Sequence, residues 1–391
     1  MNTLRTWLLI PLIFIALTLA LCEGALRIYY HVVPPRNFHL ISPNRSTLHI
    51  FQSTERGTFY TVKPNYRQRM VRSEFQIDIR TNNIGLREDN DYHGEPVDIA
   101  FIGDSFTFGW GVEAGERYSD FVRTAFPEKR VLSYSYPNGH APINYLSFLQ
   151  DHPELMPRIL ILGLFAFNDL AADTDDAIVE IDPDTGRIQR VGSKTYAVDK
   201  RGFIYGKQSP PPDPMSWQGM LRRSAIGRSL IVARHMLGAP AEPPLKPNVL
   251  KPLDQGQFDE TAQLALDHIK ALDRMTRDHG ATLLVFYIPF SSYVSSYPVC
   301  QYAPQTCEHM QGANLLGDAL TKWSRQHGIH FIDPLLRFRN LEAMGQRLYF
   351  ELDAHWTPAG HAAAGELITE YLLAKEGILS PTNGGTGSAE K

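Results

Sequence analysis

The chain has 391 residues, a formal net charge of −4, 43% hydrophobic residues and 20% charged residues. That is ordinary globular composition, with length for one large core or two modest ones. The charge balance gives nucleic acid or an anionic membrane surface no bulk attraction, and three cysteines without a Cys/His cluster argue against a structural zinc site.

The first element is "WLLIPLIFIALTLALC", Trp7 to Cys22, an uncharged run preceded by Arg5 and followed by Glu23 and Arg27. It is shorter than the roughly 20 residues that span a bilayer, but "EGALRIYY" can lend it length. Residues 1–22 therefore read as a signal anchor or a cleaved signal peptide. Either way the body is expected outside the cytoplasm, periplasmic or extracellular, and an anchor would make the membrane a partner. Export makes a local disulfide between Cys300 and Cys307, in "CQYAPQTC", the expectation, with two unrelated thiols as the alternative.

Residues 23–95 read as an irregular lead-in, with one strand where Phe75, Ile77 and Ile79 alternate before a turn at Asn82-Asn83. A β/α rhythm then begins. Strands are expected at Val97–Ile102, Val131–Tyr136 and Arg158–Phe167, and helices around Ser119–Ala125 and Asn144–Gln150. Residues 173–256, rich in Asp, Pro and Gly, interrupt it. They read as an insertion with one helix near Leu221–Met236: a lid, a partner surface, or a plain solvent-facing excursion. The rhythm resumes with helix Asp259–Asp278, strand "ATLLVFYIP", helix Asn314–His327, strand Ile329–Ile332 and helix Pro358–Ala374. Residues 376–391 read as a disordered tail. The domain thus spans 96–375, an α/β three-layer, flavodoxin-like parallel sheet.

In such a sheet, sites form at the carboxyl ends of the strands. Ser105 follows one strand, in "IGDSFTFGWG"; Gly139 and Asn168 follow the next two. Serine needs a base to become a nucleophile, and "YFELDAHWTPAGH" supplies His355 with Asp353 two residues before it. Residues i and i+2 of extended backbone point the same way, and Thr357-Pro358 can start a helix directly after them. The Ser105 N–H, a Gly139 N–H and the Asn168 amide could together hold an oxyanion. Asp104 is expected to brace the turn, and His361 to lie within the helix, away from the site. An α/β-hydrolase elbow fits poorly, because Thr107 stands where its second glycine would be.

The GDS block, Gly139, the Asn168-Asp169 pair and the Asp353/His355 block come in the order of the SGNH (GDSL-type) hydrolase superfamily, which the chain resembles over about residues 97–172 and 259–372. The resemblance implies Ser105 as nucleophile, His355 as base, Asp353 as its orienting carboxylate, and Ser105, Gly139 and Asn168 as the oxyanion hole. It implies no metal and no cofactor. Two positions depart from the pattern: Ala166 replaces a glycine, and the last block reads Asp-x-His in place of Asp-x-x-His. The latter, followed by Trp356, is similar to membrane-anchored acetyltransferases of exopolysaccharide assembly. The expected activity is a serine esterase acting on an acyl ester, foremost an O-acetyl ester, of an envelope carbohydrate or lipid. The alternatives are an O-acyltransferase acting on polysaccharide and a non-catalytic envelope binding protein of the same fold.

Overall fold

Five parallel strands form the centre of the computed structural model, which describes residues 2–32, 48–138, 140–165, 169–170, 176–208, 216–238, 260–294, 315–351, 353 and 355–375. They are β5 (Ile99–Gly103), β6 (Val131–Ser135), β7 (Ile159–Leu164), β12 (Thr282–Tyr287) and β13 (His330–Ile332), ordered β6-β5-β7-β12-β13. Every residue of β5, β6 and β7 is buried, as parallel strands covered on both faces must be. Numbered within the sheet, the order is 2-1-3-4-5, the flavodoxin-like arrangement. The chain leaves β5 for β6 on one side and returns to β7 on the other, so a crevice opens at the carboxyl end of β5.

Helices cover both faces. On one side α4 (Pro142–Asp151) packs against α7 (Glu260–Asp278), under Ala100, Ile102, Leu160, Leu162 and Val285. On the other α3 (Tyr118–Ala125) packs against α11 (Pro358–Ala374), over Ile99, Phe101, Ile159, Ile161 and Phe286. Among the described residues the remaining α-helices of the body are the single turns α2 (Ser105–Phe108) and α8 (Ser291–Val294), with α9 (Leu315–His327) and α10 (Leu335–Ala343). The expected strands and helices of the sheet are present, with ends shifted by a few residues.

The lead-in is not irregular. It folds into two antiparallel pairs, β1 (Phe51–Ser53) with β2 (Tyr60–Val62) and β3 (Arg67–Val71) with β4 (Gln76–Arg80). Tyr60, Met70, Ile77 and Ile79 join the main core. β4 is the strand expected from the alternation of Phe75, Ile77 and Ile79; the other three are three to five residues long, too short for alternation to stand out. The lead-in also inserts charge. The buried Arg87 guanidinium donates to the carbonyls of Phe108, Gly109 and Val112 at 2.7–2.8 Å, bracing the segment that follows Ser105. Burial lowers its pKa to about 9. Glu88 beside it pairs with Arg123 at 2.7 Å and with the buried Arg117 at 3.6 Å. A buried cation without such partners would carry a large desolvation cost.

The described residues of the insertion form two hairpins, β8 (Ala177–Ile181) with β9 (Ile188–Ser193) and β10 (Tyr196–Val198) with β11 (Ile204–Gly206). The one helix expected there is two, α5 (Trp217–Arg223) and α6 (Ala225–Gly238), broken at Ser224. The N-terminal helix α1 (Asn2–Val32) runs past Cys22 without a break; its stretch Leu9–Tyr30 has mean hydropathy 2.3 and none of it is buried. It is long and apolar enough to cross a membrane. Cys300, Cys307 and the tail 376–391 lie outside the described residues.

Candidate active site

β5 ends at Gly103, where a Cβ would overlap the Thr107 hydroxyl and come within 2.9 Å of the Gly163 carbonyl of β7. Glycine alone fits so close an approach. Asp104 then caps α2, its carboxylate accepting the Phe106 N–H at 3.0 Å, the bracing role expected of it. Ser105 is the first residue of that turn and faces the crevice half-buried. At this position a backbone N–H has no intrahelical acceptor.

The opposite wall is the segment before α11. Tyr349 and Trp356 form an isolated antiparallel bridge, and the Phe350 N–H donates to the His355 carbonyl at 3.0 Å. Trp356 is fully buried among Phe106, Tyr118, Phe286 and Phe338, which anchors the loop's end. Thr357 caps α11 through the Gly360 N–H at 3.3 Å, with Pro358 at the first helical position.

Across this gap, 250 positions apart in sequence, Ser105 Oγ lies 2.7 Å from His355 Nε2. His355 Nδ1 hydrogen-bonds Asp353 Oδ1, which also accepts the His355 N–H at 3.2 Å. The pair meets because the backbone bends there and Asp353 caps that bend, not because two extended residues face the same way. Asp353 Oδ2 accepts the Trp110 indole N–H at 3.0 Å. Burial alone would raise the Asp353 pKa; the His355 ring and the hydrogen bonds from His355 and Trp110 outweigh it and hold the group at about 2. The carboxylate therefore fixes the proton on Nδ1 and leaves Nε2 free to accept the serine proton.

Four residues of this surround carried no sequence signal. Trp110 and Phe106 flank the His355 ring, at 5.7 and 4.7 Å between centroids. Arg72 stacks over Trp110 at 5.3 Å. Glu74, in the turn between β3 and β4, grips the loop that carries His355: its two oxygens accept the N–H groups of Glu351 and Asp353 at 2.6 and 2.8 Å. We expect Glu74→Ala to lower kcat on p-nitrophenyl acetate about 10- to 100-fold with KM nearly unchanged, because a small displacement of a positioned base costs that much. Steady-state kinetics on the purified variant checks this.

His361 is in α11 and wholly buried, its Nδ1 accepting the Tyr118 N–H at 3.3 Å. Burial, with Arg87 and His355 nearby, lowers its pKa to about 3, so it stays neutral and outside the site, as expected. The strands that precede Gly139 and Asn168, β6 and β7, flank β5; those two residues themselves lie outside the described residues. Among the described residues no group of His, Cys, Asp and Glu has the makings of a metal site.

Residues 250–385 match the family described as "SGNH hydrolase-like domain, acetyltransferase AlgX". The matched stretch contains Asp353 and His355 and stops short of Ser105. Among solved structures, a carbohydrate acetylesterase family member from Sinorhizobium meliloti is similar at 11% identity and TM-score 0.38, over 72% of this chain and 99% of that one. A member of the lipolytic protein G-D-S-L family from Veillonella parvula is similar at 10% identity and TM-score 0.34, over 71% and 98%. The structure titled TesA is similar at 11% identity and TM-score 0.35, over 70% and 97%. No curated protein matches the chain.

Proposed function

We propose that this chain, whose fold is SGNH-like and which carries an SGNH hydrolase-like domain, is a serine enzyme of acyl esters. The observation that carries the proposal is the 2.7 Å contact between Ser105 Oγ and His355 Nε2, with Asp353 on the far ring nitrogen. His355 takes the Ser105 proton as Oγ attacks the ester carbonyl. The oxyanion is held by the Ser105 N–H, with Gly139 and Asn168 as the further donors that the family resemblance implies. His355 then returns the proton to the leaving alcohol, and an acyl-serine remains. A second hydroxyl gives its proton to His355 and attacks that ester; the acyl group leaves on the new oxygen, and His355 passes the proton to Ser105 Oγ, which restores both residues.

Whether that hydroxyl belongs to water or to a sugar separates esterase from O-acyltransferase. The acyl-serine is common to both. The description of the matched family favours acetyl as the acyl group and makes transfer to a carbohydrate hydroxyl the second reading. With α1 in a membrane and the body outside the cytoplasm, the substrate is an envelope carbohydrate or lipid ester. The test feeds purified enzyme an acetyl ester donor with and without oligosaccharide acceptors and follows both products by mass spectrometry. Acetate alone is the esterase result, and acetylated sugar with faster donor consumption is the transferase result. A donor left intact under every condition, with no acyl-serine on Ser105, would sink both.

A further inference from the structure

The insertion is tied to the N-terminal helix. Glu23, the first charge after the apolar run, accepts the N–H groups of Ala225 and Ile226 at 2.7 and 3.0 Å, and Arg27 closes on the same carboxylate at 2.7 Å. Two turns further along α1, the Tyr30 hydroxyl meets Ser229 Oγ at 2.7 Å. Helix α6 therefore starts level with Glu23 and runs beside the last part of α1. Helix α5 packs closely against its first turn. Ser224 Oγ accepts the Gly227 N–H at 2.8 Å, and a Cβ at Gly227 would clash with Leu221.

Glu23 marks a depth. The uncharged run before it covers about 24 Å of helix, less than the about 30 Å of a hydrocarbon core. A carboxylate is costly in hydrocarbon, so with α1 in a bilayer Glu23 belongs at headgroup level. The end of α5 and the start of α6 are then held at that level too. On α5, which ends there, Trp217 is 69% exposed and Met220, one turn on, 56%. In water this is an uncovered apolar face; at a headgroup boundary tryptophan is a favoured residue. Residues 217–238 also contain four arginines and no acidic residue. The whole-chain charge of −4 conceals this local excess of positive charge.

We propose that α5, held at that level by the start of α6, forms a membrane-surface element that lies on the bilayer entered by α1 and takes anionic phospholipid headgroups. Exposed apolar residues in a segment of basic sequence bind that boundary by burying area and by attracting lipid phosphate. The element converts a single tether into a two-point attachment, so that the body is held at a set height and orientation above the bilayer. The proposal stands apart from the ester chemistry and rests on α1 as an anchor.

The test is amide hydrogen exchange on the full chain, in nanodiscs of phosphatidylcholine with or without phosphatidylglycerol, and in detergent micelles. In the phosphatidylglycerol discs, exchange over residues 217–230 is expected to be roughly tenfold slower than in micelles or in phosphatidylcholine alone. High salt should reverse much of that protection. Trp217→Ser/Met220→Ser and Arg222→Glu/Arg223→Glu should each restore the micelle rates while residues 9–22 stay protected, which shows the chain still folded and inserted. Equal rates in all three media would overturn the proposal: strong protection throughout means that protein covers the face, and weak protection that nothing does. Protection equal in the two kinds of disc would remove the anionic headgroup, and loss of protection at residues 9–22 in discs would remove the anchor with it.

Discussion

Ser105→Ala should abolish labelling by a fluorophosphonate probe and lower kcat/KM on p-nitrophenyl acetate by about 10⁴-fold or more. The substitution removes one oxygen, the atom 2.7 Å from His355 Nε2. Ser105 is only half-buried, and its Oγ makes no other hydrogen bond among the described residues. The turn around it is held by the Asp104 cap and by Arg87, neither of which needs the serine hydroxyl. An unchanged melting temperature should therefore accompany the loss. Labelling that persists on Ser105→Ala at the wild-type rate would mean that another residue carries the chemistry.

Asp353→Asn should lower kcat by about 10³- to 10⁴-fold while retaining the fold. An amide is nearly the same shape, but it turns an obligatory acceptor into a group that can donate. The proton is then no longer pinned to His355 Nδ1, and the imidazolium formed during attack loses its counter-charge. The same variant changes the response to acid. The Asp353 carboxyl is at about 2 in the folded chain against 3.8 for an unperturbed group, so the native state favours the ionised form. A depressed carboxyl contributes stability that is present above its unfolded value and is lost as pH falls through the folded one. The stability gap between wild type and Asp353→Asn should thus be full at neutral pH and narrow as pH drops from about 4 toward about 2, read by thermal melts across that range. A gap independent of pH would show that packing, not charge, is what Asp353 supplies.

The two halves of the site differ in what made them legible. Ser105 stands out because an apolar run stops at Gly103-Asp104, and His355 because an Asp-x-His precedes a Thr-Pro helix start. Both are local patterns of a few residues. Glu74 holds the loop that carries the base from 279 positions away, and no pattern within "VRSEFQ" announces it. Trp110 reads as one more aromatic until its indole N–H meets Asp353. Arg87 and Arg117 look like ordinary surface charge, yet each is buried with its partners. The break of the insertion helix at Ser224 escaped for the same reason: the groups that satisfy the N–H ends of Ala225 and Ile226 belong to Glu23.

By itself the amino-acid order determined the strand–helix alternation, the parallel sheet, the apolar N-terminal helix, and Ser105, His355 and Asp353 as the candidate residues of the site. Those follow from hydrophobic period, capping chemistry and residue type, which act over a few neighbouring positions. Only the tertiary structure decided that Ser105 and His355 touch, that the lead-in braces both walls of the crevice, and that the insertion docks on the N-terminal helix. Each of these depends on side chains that meet across long loops. Their pairing is selected by burial and by the need to satisfy buried polar groups, which is a property of the folded whole.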